Sequence, residues 1–234
     1  MAGPMELWQT LCLVAYCLII TFLSIYGIHR YQLLRLFYRH RQTPVPKPKS
    51  FEQLPAITVQ LPLYNEYHVV ERLLEAVGQL DYPRDRFQIQ VLDDSLDETC
   101  DKARRGVERL ATQGLDIEYL GRRERHGFKA GALAAGLKQS RGEFILILDA
   151  DFVPPPDILQ RAIHHFTNEK IGMVQMRWGH INRLYSHLTR IQSIFLDGHF
   201  IVEHTARNRS GRFFNFNGTA GIWRKEAIYE AGGW

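Results

Sequence analysis

From residue 57 onward, short apolar runs alternate with stretches of helical periodicity, and this alternation constrains the fold more than any other feature of the chain. "ITVQLPL" (57–63), "FQIQVL" (87–92), "IEYL" (117–120) and "FILIL" (144–148) have strand length and are rich in β-branched and aromatic residues. After the first, Val69, Val70, Leu73, Leu74 and Val77 recur at helical spacing. After the third, Ala130, Leu133, Ala134 and Leu137 do the same within a helix expected over Lys129–Ser140. Asn65 is placed to cap the first helix, and Ser95-Leu96-Asp97-Glu98 fits a capping box for the second. Pro155 or Pro156 suits the first turn of the next, with Ile158, Leu159, Ala162, Ile163 and Phe166 inward. A long helix is expected from about Leu184 to Asn208 with Leu184, Leu188, Ile191 and Phe195 inward. Its acids, Asp197 and Glu203, are expected in solvent or paired with Arg190 or Arg207. Strand, helix, strand, helix predicts an α/β fold, a mostly parallel sheet flanked by helices.

In such sheets ligands bind beyond the carboxyl ends of the strands. Polar residues fall at those ends: Tyr64-Asn65-Glu66, Asp93-Asp94 and Asp149-Ala150-Asp151. Two carboxylates about 4 Å apart repel by about 1 kcal/mol in water and about 4 kcal/mol at an effective dielectric near 20. A hard divalent ion, Mg²⁺ or Mn²⁺, removes that repulsion, and Mg²⁺ is usually shared between one or two carboxylates and phosphate oxygens. "HGFKAGAL" (126–133) supplies a phosphate cradle: Gly127 and Gly131 permit close backbone approach at a helix start, and Lys129 adds a full charge. Metal plus nucleotide diphosphate is the expected ligand.

Ahead of this domain lies Leu7–Ile28, 22 residues without a charge. As a helix it spans roughly 33 Å, enough for a hydrocarbon core of about 30 Å. Glu6 precedes it and Arg30 follows, the reverse of a signal peptide. We therefore expect a membrane helix over residues 1–50 with a basic juxtamembrane segment, then a catalytic domain over 51–234. The whole chain carries +4, and the first fifty residues hold six Lys/Arg against Glu6 alone, so the rest is slightly acidic. That distribution places residues 29–50 and the following domain on the cytoplasmic side of the cell membrane, and it argues against nucleic acid as a partner. Residues 31–42 read either as a helix on the anionic leaflet or as an extension of the membrane helix. "TPVPKPKS" is a stiff linker. Cys12, Cys17 and Cys100 form neither a disulfide framework nor a zinc pattern, and the ten histidines, His164-His165 and His199/His204 among them, add no metal signature.

Taken in order, "LDDS", "GFKAGAL", "LDADF" and "FNFNGTAGIWRKEAI…AGGW", with "VQMRWGHIN" (174–182), resemble the membrane-bound family 2 glycosyltransferases of GT-A fold. The likeness is greatest to the cellulose-synthase-like mannan and glucan synthases and covers roughly residues 55–234. The resemblance implies an inverting transfer of a hexose from a nucleotide sugar, UDP-glucose or GDP-mannose, to a growing β-linked polysaccharide. It implies that Asp93, with Asp94 beside it, contacts the nucleobase and that Glu66 lines the same pocket. Lys129 meets the donor pyrophosphate beside Gly131, Asp149 and Asp151 form the metal and diphosphate pair, and Asp151 is the direct ligand. Phe214, Asn217, Gly218 and Thr219 lie under the acceptor sugar, a carbohydrate or glycolipid. Gln175 and Arg177 face either that site or solvent. The family's general base, a T/V-E-D stretch after "GGW", is expected beyond Trp234, as are a Q-x-x-R-W motif and further membrane helices. The chain is thus expected to be the N-terminal portion of a longer enzyme. Single-sugar transfer to a lipid, and donor binding without turnover, are the alternatives. A nucleotidyltransferase would need a glycine- and arginine-rich loop after the first strand, and a phosphohydrolase an early nucleophilic aspartate; neither is present.

Overall fold

The computed structural model describes residues 7–234. They divide into two compact units, one formed by residues up to Pro46 with Trp178–Asn215, the other by Lys47–Arg177 with Phe216–Trp234.

The second unit is a six-stranded sheet in the order β3-β2-β1-β4-β6-β5. Its strands are β1 (Ile57–Leu63), β2 (Phe87–Asp93), β3 (Asp116–Gly121), β4 (Phe144–Ile147), β5 (Met173–Gln175) and β6 (Gly221–Arg224). β1 pairs in parallel with β2 and β4, and β2 with β3; only β6 runs against its neighbours. The helices are α2 (Val70–Gly78), α3 (Thr99–Thr112), α4 (Phe128–Leu137), α5 (Ile158–Ile163) and α8 (Lys225–Glu230). β2 and β4 are buried along their whole length, as strands covered by helices on both faces must be. A buried polar ladder crosses one face. Thr58 lies beside Gln88, and Gln60 beside Gln90, by register. The Thr58 hydroxyl donates to Gln88 at 2.7 Å, Gln60 to Gln90 at 3.0 Å, and Gln88 and Gln90 to Glu118 at 2.8 and 2.9 Å. Gln60 and Gln90 each bond their register partner on the next strand, while Gln88, level with Asp116, reaches on to Glu118, so burial leaves the ladder largely paired. Gly136 of α4 lies over it, where a Cβ would stand 2.7 Å from Gln60 Nε2. Beside the ladder, Leu133 and Leu137 of α4 pack on Leu92, Ile145 and Ile147.

Several local expectations change. Asn65 does not cap α2, which starts at Val70 after a cap without a side-chain bond. Its Oδ1 accepts from Leu96 N at 2.9 Å, and its own N–H donates to Ser95 Oγ, so the two residues expected to cap separate helices join two strand ends instead. α3 starts at Thr99, whose N–H is held by Asp97. Pro155 and Pro156 precede α5 rather than opening it. On α4 the inward face is Ala132, Leu133, Gly136 and Leu137, while Ala130 is exposed.

The first unit holds α1 (Leu7–His40), α6 (His187–Asp197), a π-helical stretch Gly198–His204 and α7 (Thr205–Arg209). α1 is long and apolar enough to cross a membrane. Residues 31–40 continue it as one helix, the extension rather than a separate surface helix, and Leu33 is its buried residue. Arg30 pairs with Glu203 at 3.2 Å, Arg207 contacts His29 at 3.3 Å and Glu203 at 3.0 Å, and Arg209 donates to the Arg41 carbonyl. Asp197 pairs with Arg183 at 3.7 Å. α6 is capped by Ser186 and Thr189, each side chain accepting from the other's backbone N–H. Leu184, Leu188, Ile191 and Phe195 do not face inward; all are exposed, and the buried side chain of α6 is Ser193.

Candidate active site

One edge of the sheet collects the chemistry. β1, β2 and β4 end there, and so does β5 at Gln175, whereas the antiparallel β6 begins there. β3 also ends there, so the segment after Gly121 delivers the start of α4 to the same edge. Three non-glycine residues in the left-handed region occupy these junctions: Asn65 (φ 56°), Phe128 (φ 50°) and Ala220 (φ 50°). Such backbone is held only where its surroundings dictate it, and it concentrates at binding sites.

A cavity of about 320 Å³ opens at this edge. It is lined by Tyr64 and Glu66 after β1, Asp94 after β2, Arg125 and Lys129 around the start of α4, and Asp149 and Asp151 after β4. Five of the residues expected from the sequence, Glu66, Asp94, Lys129, Asp149 and Asp151, therefore share one cavity. Burial raises the Asp149 carboxyl above the usual range, Asp151 adds to the rise, and Lys129 opposes it. Glu66 is raised by burial first, then by Asp151 and Asp149. Burial is the first cause of both shifts, and the neighbouring carboxylates add to it. Lys129 Nζ bonds Asp149 Oδ1 and also donates to the Gly218 carbonyl at 2.8 Å.

Asp93 and Asp94 differ. Asp93 is buried outside the lining, with one oxygen accepting from Ser95 N at 2.9 Å and the other from the Tyr119 hydroxyl at 2.7 Å. Asp94 meets Arg122 through two bonds, 2.7 and 2.5 Å. Gly131 is not in the lining. Its bare Cα faces the His126 carbonyl, where a Cβ would stand 1.9 Å away, so the glycine admits the strap over residues 122–127.

Asn217, Gly218 and Thr219 form the turn before β6 and are bound to the cavity wall. Asp149 N donates to Thr219 Oγ1 at 2.8 Å, and Ala220 N to Ile147 O at 2.8 Å. Gln175 splints the turn: its Nε2 donates to the carbonyls of Thr219 and Ala220, both at 2.9 Å, and its Oε1 accepts from Asn217 N at 3.0 Å. Gln175 thus faces this turn. Phe214 belongs to the first unit, where its ring lies 4.9 Å from that of His204. Burial pulls the His204 imidazole down to about 4.

Arg122 and Arg125 were not expected, and Tyr64 only as a polar residue at the end of β1. The Arg125 guanidinium sits 3.4 Å from the centre of the Tyr64 ring, a cation–π stack at the cavity mouth. Their signal was the basic run "RRERH" directly before the glycine-lysine helix start. Among the described residues no group of three His, Cys, Asp or Glu gathers that could hold a metal by itself.

A family model described as glycosyl transferase family 2 matches residues 58–230. The chain is 42% identical over 214 residues to glucomannan 4-beta-mannosyltransferase 2 of Arabidopsis thaliana, covering 86% of this chain and 40% of that protein. It is 40% identical over 193 residues to glucomannan 4-beta-mannosyltransferase 1 of Cyamopsis tetragonoloba, covering 80% and 37%. It spans about two fifths of the length of the curated relatives it matches. Among solved structures, a mannosyltransferase from Pyrobaculum calidifontis in complex with GDP-Man and Mn²⁺ superposes with a TM-score of 0.68 at 24% identity, over 94% of this chain and 58% of that one. The S. aureus TarS fragment 1–349 with UDP-GlcNAc gives a TM-score of 0.53 at 17% identity, over 76% and 47%. These likenesses establish a GT-A-like fold.

Proposed function

The chain belongs to glycosyl transferase family 2, and on that premise we propose that it binds a nucleotide sugar, GDP-mannose, and transfers the hexose with inversion to a β-linked polysaccharide of the glucomannan class. The observation that carries this reading is the single cavity holding Glu66, Asp94, Lys129, Asp149 and Asp151 at the carboxyl edge of a parallel sheet. Mannose as the sugar is supported by the relatives' names as mannosyltransferases and by the GDP-Man in the structural neighbour.

Asp149 and Asp151 would hold the divalent ion. They fit it: both are hard oxygen donors, burial raises the Asp149 carboxyl, and among the described residues no group of three ligands gathers, which suits an ion shared with phosphate oxygens. Bound there, the ion would neutralise negative charge on the diphosphate. Lys129, already between Asp149 and Gly218, supplies a charge that favours the departing nucleoside diphosphate as the anomeric C–O bond breaks. Asp94 with Arg122, and Tyr64 with Arg125, frame the nucleoside end. Asp93 acts from behind by fixing Ser95 and Tyr119. The turn Asn217-Gly218-Thr219 offers the acceptor a floor. No residue of this chain is assigned as the base for the acceptor hydroxyl. The excess of Lys and Arg over residues 29–50 supports a cytoplasmic position for the domain.

Isothermal titration of the chain in detergent with GDP-mannose and UDP-glucose, each with and without Mn²⁺, tests the reading. GDP-mannose should bind only with metal, and Asp151→Ala should weaken it at least about tenfold, ~1.4 kcal/mol. Binding of neither donor, or metal-independent binding indifferent to Asp151→Ala, would refute it. A preference for UDP-glucose would overturn the sugar assignment alone.

A further inference from the structure

The cavity offers a nucleobase one aromatic face, and that face is taken. Tyr64 is the single aromatic among the lining residues, the others being acids, cations and aliphatic side chains. Bases of every kind stack on such a ring, because each has a π-face of its own. The Arg125 guanidinium carbon lies 3.4 Å from the centre of the Tyr64 ring. At that separation two flat groups are in contact and nothing fits between them. The Phe128 ring centre is 5.1 Å from the same carbon.

The cation is lightly fastened there. Its buried Nε has no hydrogen-bond partner. The Asp94 carboxylate stands 3.9 Å from it and is already held by two bonds from Arg122. An unpaired buried N–H costs free energy, so this pose is cheap to leave. Arg122, by contrast, is fully engaged. Besides Asp94 it donates to the carbonyls of His126 and Phe128, both at 3.0 Å. Those bonds clasp the backbone beyond Arg125, so the Arg125 side chain can leave the ring while the strap stays in place.

We propose that the Tyr64 face is the seat of the nucleobase and that Arg125 is its resting occupant, a planar cation that the base must displace. This rests on the nucleotide-sugar reading of the cavity. Guanidinium and base are both flat and both drawn to the face of an aromatic ring, so one can stand in for the other. Arg125 therefore limits how much of the donor's affinity the base supplies. The metal and diphosphate end, at Asp149, Asp151 and Lys129, is not part of the exchange.

The test is isothermal titration of the whole chain in detergent with Mn²⁺, comparing GDP with inorganic pyrophosphate, which has the phosphates but no base. The ratio of the pyrophosphate Kd to the GDP Kd measures what the base contributes. Arg125→Ala and Arg125→Met should raise that ratio several-fold, and Tyr64→Ala should bring it close to unity. Arg125→Met keeps the apolar stem and decides the case if Arg125→Ala disturbs the strap. A ratio that falls makes Arg125 a partner of the base. A ratio that stays unchanged makes it a general charge or a support of the strap. Either result overturns the proposal, as does a Tyr64→Ala ratio equal to that of the unaltered chain. The series is run with UDP as well, because stacking tolerates either base and the choice of nucleotide then does not decide the outcome. Pyrophosphate keeps the two readings apart. If it binds with Mn²⁺ and the ratio does not rise, the metal and diphosphate site stands and only the seat proposal fails. If neither it nor a nucleotide binds, the reading of the cavity fails and the proposal with it.

Discussion

One amide illustrates how much depends on single side chains here. Gln175 both donates to and accepts from the turn that precedes β6, and through that turn it holds Lys129 and Asp149 in register. Gln175→Ala removes one hydrogen bond each from the Asn217 N–H and from the Thr219 and Ala220 carbonyls, so it should lower stability by about 1–3 kcal/mol in chemical denaturation. Gln175→Glu has the same shape but loses the donor, and it should cost at least as much. Glu66 gives a pH signature. Its carboxyl and that of Asp149 are raised in the folded chain, so the fold binds more protons than the unfolded chain near and below those raised values. Their contribution to unliganded stability therefore falls as pH rises through the folded-state values, while metal binding, which needs carboxylates, gains over the same window. Glu66→Gln should raise the unliganded melting temperature at neutral pH, and the gain should shrink on acidification. Glu66, Asp149, Asp151 and Lys129 were legible in the sequence because strand ends and a helix start fix where they go. Arg122 and Arg125 were not, because their places depend on a loop path that no periodicity encodes; Tyr64 and Gln175 were read only as residues near the site, because their contacts there lie far away in sequence.

At the scale of elements, two glycines of α4 separate binding from folding. A Cβ on Gly136 meets Gln60 and Leu92 at 2.7 Å in the buried ladder, so Gly136→Ala should destabilise the fold by about 1–3 kcal/mol. A Cβ on Gly131 meets the His126 carbonyl on an exposed strap. Gly131→Ala should displace that strap, and with it Arg122 and Arg125, and so lower donor affinity in the same titration more than it lowers the melting temperature. The strands and the helical periods were readable because each carries a repeating apolar pattern. The caps were misread because Asn65 and Ser95 satisfy each other across two strand ends, a pairing invisible within either segment. α6 was misread for a different reason. Periodicity shows that a stripe exists, but it is the same whether the medium beyond the stripe is protein or lipid.

At the scale of the molecule, the parallel part of the sheet follows from the alternation of strand and helix, whereas the placing of β6 between β4 and β5 does not. "GIWR" is four residues long and arrives after the excursion Trp178–Asn215, with no pattern of its own. Its partners are Phe144–Ile147 and Met173–Gln175, both antiparallel to it. We expect that joining residues 47–177 to 216–234 through a short turn leaves β5 and β6 as an ordinary hairpin. That protein should unfold in one cooperative transition and retain metal-dependent donor binding.

The pairing of β5 with β6 has a consequence for how such a chain changes over generations. The two strands grip the ends of the excursion, and the entropy of closing a loop rises only slowly with its length, by about 0.6 kcal/mol per doubling. Mutation is therefore free to lengthen, shorten or re-face the intervening helices while the sheet that carries the carboxylates keeps its register. Diversification falls on the inserted piece, and the donor chemistry is inherited unaltered.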